Sequence, residues 1–547
     1  MRTWIDNCNT RHELCKHNYL RSSRRLPTRL IDLGPPGPSI KPTLCYTDEL
    51  DVATLYMTLS HCWGGIIFHT LMESNLDSLK LNINISKLSQ TFRDAMETTR
   101  NLGVRYIWID SLCIIQDSKE DWEHEAALMG SVYEHSYCNI AASKASNGND
   151  GCFTTRNIFD VQQCNVMAYW HKQEPMHYYI RDNAPWDQLN HDPLVRRGWV
   201  VQESILARRI LHFSKEQVLW ECSEVRLSET IPFTSNQPFY HRLNLDPTPY
   251  LTKKYIRPWA HPETPDLVDY AIWRDFVHKY SCCQLTYPEK DKLVAVSGIA
   301  RLLCRGDEYL AGLWRKCLPA QLMWHTQNFG PKRPSKYYAP TWSWASVDGI
   351  ISMRGTIAHE SSSFTVLDAQ VTTSSTDRFG AVSAGYLQVL GPVAKTFYQP
   401  VYNPNSSIAV RRTNEAACLL GRSLCAIYRD IHLPNGPIFL LPFIMPSAEQ
   451  RSKADSPVAA RERGPYENPF FALDTPCGLV LGRWTDKKGL YQRLGYFRIL
   501  AQDDTQNMQY FYELFLTERE NLSEEDYEER IMAEEPSDLP KFQITIV

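Results

Sequence analysis

Three short segments carry side chains that a purely structural core would not require. They are Leu59-Ser60-His61-Cys62-Trp63-Gly64, Ile107-Trp108-Ile109-Asp110-Ser111-Leu112-Cys113-Ile114 and Arg197-Gly198-Trp199-Val200-Val201-Gln202-Glu203. Trp199 and Glu203 are four apart and stack on one face of a helix. A carboxylate held beside an aromatic platform stabilises a developing cation such as an oxocarbenium ion, or anchors a ribose through its hydroxyls, with Arg197 and Gln202 as polar neighbours. The same spacing also describes an amphipathic helix with a surface glutamate and a buried tryptophan. Asp110 closes an otherwise apolar strand, which favours a functional or capping role. Ser60 and Gly64 bracket a turn whose backbone can approach a ligand.

Other residue patterns suggest other chemistry. Cys8, His12 and Cys15 are spaced i, i+4, i+7, which places thiols and an imidazole on one helical face as zinc requires. Trp4 shares that stripe, however, and no fourth ligand is evident, so the docking face of a buried N-terminal helix explains the pattern equally well. His124-Glu125-Ala126-Ala127-Leu128 lacks the second histidine of a zinc-protease helix. In His12-Glu13-Leu14-Cys15-Lys16-His17 the histidines are five apart, on different faces. Cys62 beside His61 is a poor nucleophile–base pair, because adjacent residues of a strand point to opposite faces. Cys113 would serve as a nucleophile only with a distant histidine, and a strand-end cysteine is more often packing.

The elements that must position these residues follow from periodicity. Tyr56 to Leu59 reads as a strand ending at Ser60. Phe92, Ala95, Met96, Thr99 and Leu102 repeat at helical spacing, with Gly103 where a glycine cap belongs. Val104 to Ile109 is a strand. Trp122, Ala126, Met129 and Tyr133 mark a helix whose first turn carries Glu120 and Asp121, favoured there by the helix dipole. Cys138 to Ala142 is a strand and Trp199 to Leu206 a helix, followed by strands at Arg209 to Phe213 and Gln217 to Glu221. Alternation of this kind predicts an α/β fold with a mostly parallel sheet, whose ligands bind at strand ends.

The 547 residues have room for several domains of roughly 150 residues. We expect an N-terminal helix and linker over 1–49, with a Pro/Gly turn cluster at Leu33 to Pro38, and an α/β domain over 50–225. A helical region should occupy 226–340, with apolar stripes at Leu293, Val296, Ile299 and Ala300 and at Leu310, Leu313, Trp314, Cys317 and Leu318. A β-rich domain over 341–547 should contain a disordered insertion at 446–468 and an acidic, solvated helix at 518–538. The charge balance of 58 basic against 62 acidic residues argues against nucleic acid as a partner. Sixteen scattered cysteines, the lack of a signal-peptide pattern and apolar runs too short for a membrane span indicate a cytoplasmic protein.

Taken together, the motifs resemble the HET (heterokaryon incompatibility) domain of filamentous fungi. The resemblance is carried by Tyr56-Met57-Thr58-Leu59-Ser60-His61-Cys62-Trp63-Gly64, by Leu102 to Ile114 with Gln116 and Asp117, by Glu125, Met129 and Tyr133, and by Arg197, Trp199, Gln202 and Glu203. Flanking stretches such as Leu26 to Asp32 and Pro340 to Ser346 are similar to the wider family. HET domains are distantly similar to Toll/interleukin-receptor (TIR) domains, which have a flavodoxin-like α/β fold. Some TIR domains cleave NAD at the nicotinamide–ribose bond with a helix-borne glutamate. The resemblance implies Glu203 as the catalytic residue, with Ser60, Trp63, Gly64, Asp110, Cys113, Arg197, Trp199 and Gln202 as substrate-binding residues, and NAD as substrate rather than a held cofactor. Val200 stands where the TIR helix start has cysteine, and the insertion from Ser143 to Val195 is longer than a TIR loop. The implied role is an effector of non-self recognition that triggers growth arrest or cell death. The alternative is a non-enzymatic signalling scaffold acting by self-association or by recruiting a partner, and an activating protein partner is expected in either case.

Overall fold

Strand-like and helix-like stretches alternate from residue 25 onward, and in a computed structural model they build an eight-stranded sheet. The structure describes residues 1–16, 25–35, 41–65, 69–156, 185–230, 266–304, 306–327, 333–353, 362–398, 425–429, 436–445, 477–484, 487–499, 522–531 and 539–547, a hairpin at 164–168 and 176–180, and a few isolated positions. The sequence-expected insertion at 446–468 lies outside them. The chain forms two compact units. The first comprises 1–264, 283–286 and 294–303, and the second 265–282, 287–293 and 304–547.

The strands of the first unit are β1 (Arg29–Asp32), β2 (Thr43–Tyr46), β3 (Tyr56–Ser60), β4 (Tyr106–Trp108), β5 (Cys138–Ala141), the hairpin β6 (Cys164–Ala168) and β7 (Met176–Ile180), β8 (Arg209–Phe213), β9 (Val218–Cys222) and β10 (Arg226–Ser228). The helices before β8 are α1 (Arg2–Arg11), α2 (Glu13–Lys16), α3 (Leu76–Leu81), α4 (Gln90–Asn101), α5 (Asp110–Cys113), α6 (Lys119–His135), α7 (Pro185–Leu189) and α8 (Gly198–Leu206). The large sheet runs β10-β9-β8-β5-β3-β4-β1-β2. It is parallel only at its centre, where β3 pairs with β4 and β5, and β5 with β8. The flanks are antiparallel. This corrects the expectation of a mostly parallel sheet. The turns from β8 to β9 and from β9 to β10 are too short for a crossover, which leaves only the antiparallel arrangement.

The central order carries the functional consequence. From β3 the chain passes through α4 to β4 on one side, then through α6 to β5 on the other side of β3. The connections therefore diverge between β3 and β5, which makes a topological switch point at the carboxyl end of β3. Ser89 caps α4 by accepting from Phe92 N, Ser118 caps α6 by accepting from Asp121 N, and Gly103 after α4 takes φ +84°.

Two devices fix the helices and loops around this point. Arg29 on β1 is 2 % exposed and donates to both Asp121 carboxylate oxygens and to the Cys113 carbonyl, with Glu125 3.5 Å away. Burial pushes the Glu125 carboxyl up, with Thr28 and Arg29 pulling it back. Glu125 of the motif is thus half of a buried ion cluster that ties α6 to β1 and α5. The second device is a glycine–glycine crossing. A Cβ on Gly298, in the helix Ser297–Leu303, would sit 2.9 Å from Gly130 Cα of α6 and 2.6 Å from Gln202 Oε1 of α8. Gln202 Oε1 also accepts from Gly298 N at 2.9 Å. Because backbone cannot yield as a side chain can, Gly298→Ala is expected to cost about 1–3 kcal/mol, seen as a lower unfolding temperature of the full chain.

The second unit holds the helix Asp266–Ser281 and a nine-stranded sheet, antiparallel except where Leu490–Ile499 meets Lys541–Ile546. Its core is the Thr341 to Ser346 stretch. The indoles of Trp273 and Trp344 both donate to Gly312 O, Trp324 Nε1 donates to Trp342 O, and the fully buried Arg493 guanidinium lies 3.6 Å over the Trp324 ring. Two sequence expectations are corrected here. The stripe from Leu310 to Leu318 is not one helix: Tyr309–Leu310 and Leu313–Trp314 form a tight hairpin, because Ala311 (φ 48°) and Gly312 (φ 95°) adopt the left-handed conformation of such turns. The acidic stretch expected as a solvated helix contains, over 522–531, a short 3₁₀ turn and a strand Glu529–Ile531. Glu528 there accepts from Gln388, Gln543 and Thr545 and Asp526 is buried, so these two carboxylates are fixed in place, while Glu524, Glu525 and Glu529 face solvent. Among the described residues no helix is long and apolar enough to cross a membrane.

Candidate functional site

The switch point is lined by polar side chains that the pleat of two parallel strands puts together. Thr58 pairs in register with Asn139, and Ser60 with Ala141. Thr58 and Ser60 face the same side of β3. Thr58 Oγ1 donates to Asn139 Oδ1 at 3.0 Å, and Asn139 Nδ2 donates to Ser60 Oγ at 2.9 Å. Ser60 Oγ in turn donates to Glu203 Oε2 at 2.5 Å. The Ser60 hydroxyl is therefore oriented: it accepts from the strand side and donates toward α8. Tyr133 of α6 completes the wall, its phenol bonded to Leu59 O at 3.2 Å and its ring edge-on to Trp108 with centroids 5.8 Å apart.

Glu203 is 5 % exposed and Ser60 1 %. Burial pushes the Glu203 carboxyl up to about 7, and Asp110 adds to the rise; the Ser60 hydrogen bond, Arg197 and Tyr133 oppose it. The Tyr133 phenol is pushed well above its ordinary value, first by burial and then by Glu203 and Asp110. A carboxyl that titrates near neutrality, held by a serine whose proton direction is set, switches between a neutral hydrogen-bonding acid and a charge-stabilising anion within the physiological range.

The remaining motif residues are gathered by Asp110. Its Oδ2 accepts from Trp63 Nε1 at 3.1 Å, and its Oδ1 accepts from Ser111 N at 2.7 Å and lies 3.7 Å from His61 Nδ1. His61 packs edge-on against Phe92 at 5.0 Å. Burial lowers its pKa, Asp110 raises it and Arg197 lowers it further. Arg197 donates through Nη1 to the His61 carbonyl, which joins the third motif to the first. Gly64 takes φ +65°, and a Cβ there would lie 2.2 Å from Asn147 Cβ, so the turn after Trp63 closes on residues 146–147 as no other residue would allow. Trp199 is half-buried, one helical turn before Glu203.

Not every candidate joins this cluster. Gln202 is fully buried and is engaged with Gly298 N, where it positions α8. Cys113 is fully buried, its thiol is pushed up by burial, its carbonyl serves Arg29, and among the described residues it has no histidine partner. Burial likewise pushes up the Cys62 thiol. Neither has the lowered pKa of a reactive thiolate. Thr58, Tyr133 and Asn139 were not among the sequence candidates, and His61 was weighed only as a base for Cys62. Asn139 is the instructive omission, since a lone amide inside the apolar run Cys138 to Ala142 needs a polar partner. Cys8, His12 and Cys15 lie apart from the cluster and meet Cys222, and all four ligand atoms fall within 4.8 Å of one another.

Open α/β sheets take their ligands at such a switch point, and here it is occupied by a buried carboxyl, that of Glu203. Residues 56–203 match the family model described as Heterokaryon incompatibility protein (HET), so the chain carries a HET domain over that span. The match runs from the first residue of β3 to Glu203. No curated protein and no solved structure matches the chain.

Proposed function

We propose that this chain acts in heterokaryon incompatibility as an intracellular fungal effector, and that its HET domain cleaves NAD at the nicotinamide–ribose bond with Glu203 as the catalytic residue. The observation that carries the reading is the buried Glu203 carboxyl hydrogen-bonded to Ser60 at the switch point. The central strand order β4-β3-β5-β8 follows the flavodoxin-like pattern in which ligands occupy the cleft between the first and third strands, and this supports a TIR-like reading of the core.

In this mechanism the ionised Glu203 binds the ribose hydroxyls and faces the positive charge that develops as the C1′–N1 bond breaks. Nicotinamide leaves as a neutral base with the bonding electron pair. Water adds to C1′ of the oxocarbenium-like species and releases a proton, giving ADP-ribose. Preorganised charge aimed at the transition state is the main source of rate. Ser60, itself oriented by Asn139, fixes the carboxylate, while Trp63, Asp110, Arg197 and Trp199 shape the surroundings.

The test is NAD turnover by the purified full chain at high concentration, with Glu203→Ala beside it. Nicotinamide release by the parent alone supports enzyme and residue together. Turnover that survives the substitution moves the site. Absence of turnover in a folded parent supplied with fungal extract favours a scaffold that acts by self-association or partner recruitment.

A further inference from the structure

The N-terminal helix ends at His12, where the backbone turns extended (φ −92°, ψ 107°) before the four-residue helix α2 begins. The single helical face expected from the spacing of Cys8, His12 and Cys15 is therefore broken. The break folds Cys15 back toward Cys8, with Cys15 N bonded to His12 O at 3.1 Å. The fourth member arrives from the end of β9: Cys222 Sγ lies 3.3 Å from His12 Nδ1. A zinc tetrahedron with bonds of about 2.3 Å has ligand–ligand edges of about 3.8 Å. A set of three sulfurs and one imidazole nitrogen, all within 4.8 Å of one another, approaches that geometry before any ion draws it in.

The surroundings suit thiolates rather than thiols. Arg209 Nε donates to Cys8 Sγ at 3.2 Å, and Val225 N donates to Cys222 Sγ at 3.4 Å. Such N–H···S donors orient and stabilise bound sulfur. The charges also match. Zinc with three thiolates and a neutral imidazole carries a net charge of about −1, and the guanidinium of Arg209, a fully buried residue, stands against it. Cys8 and Cys15 are fully buried, Cys222 is 5 % exposed and His12 is half-buried, which leaves no open coordination position of the kind catalysis needs.

We propose that Cys8, His12, Cys15 and Cys222 bind one zinc ion in a closed structural site that fastens α1 and α2 to the end of β9. The docking that such a clamp would hold is already built. Trp4 stacks near Trp220 with centroids 6.4 Å apart and donates to Pro232 O, Arg209 Nη2 reaches Asn9 Oδ1 at 2.8 Å, and Leu14 N bonds the Glu224 carboxylate. The site is independent of the reaction proposed for Glu203.

The experiment uses the full chain, expressed in zinc-supplemented medium, purified under reducing conditions, desalted and analysed for metal. The expected content is about one zinc per chain, falling to near zero in Cys222→Ser and Cys8→Ser and unchanged in Cys282→Ser, whose thiol is exposed and outside the cluster. Should the cluster variants not fold, cobalt added to the unsubstituted protein after zinc removal decides the matter: the intense visible bands of tetrahedral cobalt with thiolate charge transfer are expected. Zinc below about a tenth of an equivalent with no cobalt–thiolate spectrum overturns the proposal. So does a full equivalent that survives both substitutions, or a disulfide among the three cysteines.

Discussion

Glu203→Gln is expected to abolish the NAD cleavage proposed for this chain, by about 10²-fold or more, while leaving the protein folded and changing how its stability depends on pH. The folded-state pKa of Glu203 is about 7 against an ordinary 4.5, so the folded protein holds a proton that the unfolded chain has already released. As pH rises between these values the folded state loses ground, and above about 7 the loss is complete. The difference corresponds to the order of 3 kcal/mol. The glutamine keeps the shape and the Ser60 contact but cannot ionise, so its stability should not show this fall. His61 titrates in the opposite sense, because a buried neutral imidazole disfavours the folded state as pH falls. Comparing parent with variant at each pH cancels that contribution. The check is the denaturant dependence of hydrogen exchange at the β3 and α8 amides from pH 5 to 8, corrected for the intrinsic pH dependence of exchange, beside a pH–rate profile that rises through about 7 in the parent as the Glu203 anion forms. Parallel stability curves would mean that the carboxyl is not buried as described.

The second large effect concerns Arg29. Arg29→Met keeps most of the apolar stem and removes the charge, which leaves Asp121 and the 1 % exposed Glu125 side chain without their cation. Stranding one buried carboxylate, Glu125, and one part-buried, Asp121, in this way costs about 3–5 kcal/mol. Glu125 softens the cost by protonating, so the penalty should shrink as pH falls. Because global unfolding of a chain with two units reports on both, the measurement that isolates this one is hydrogen exchange at the β3 and β4 amides, expected to accelerate by about 10²-fold or more. Unchanged exchange would show that Asp121 is held by Ile115 N and Ser118 without help from the arginine.

The elements that surround the site were legible because their signals are local. Ser60 ends β3 as read, Gly103 caps α4, and Glu203 falls in the helix that its spacing with Trp199 implied. What could not be read depends on pairing across the sheet. Asn139 meets Ser60 only because β5 lies beside β3, an adjacency set by a crossover that no window of sequence contains. Cys222 joins Cys8, His12 and Cys15 from the far end of the first unit. Gln202 has the composition of a site residue, yet it serves a backbone crossing with Gly298, and nothing near it in sequence says so. The Leu310 to Leu318 stripe had helical spacing by coincidence of apolar residues on a hairpin and the short helices after it, and the deciding signal was the Ala311-Gly312 pair inside it.

The borders of the sheet carry a consequence for how this domain can be isolated. The stretch shared with the family begins at Tyr56 and stops at Glu203. Yet β5 is completed by β8 (Arg209–Phe213), β4 by β1 (Arg29–Asp32), and the α6–α8 crossing by Gly298. A fragment trimmed to the shared stretch would present the bare flanks of β4 and β5 to solvent, two unpaired edges of the sort that recruit other strands and precipitate. The family match covers the span that holds the proposed site. Autonomous folding calls for a longer piece, reaching from the N-terminal helix through the glycine at 298.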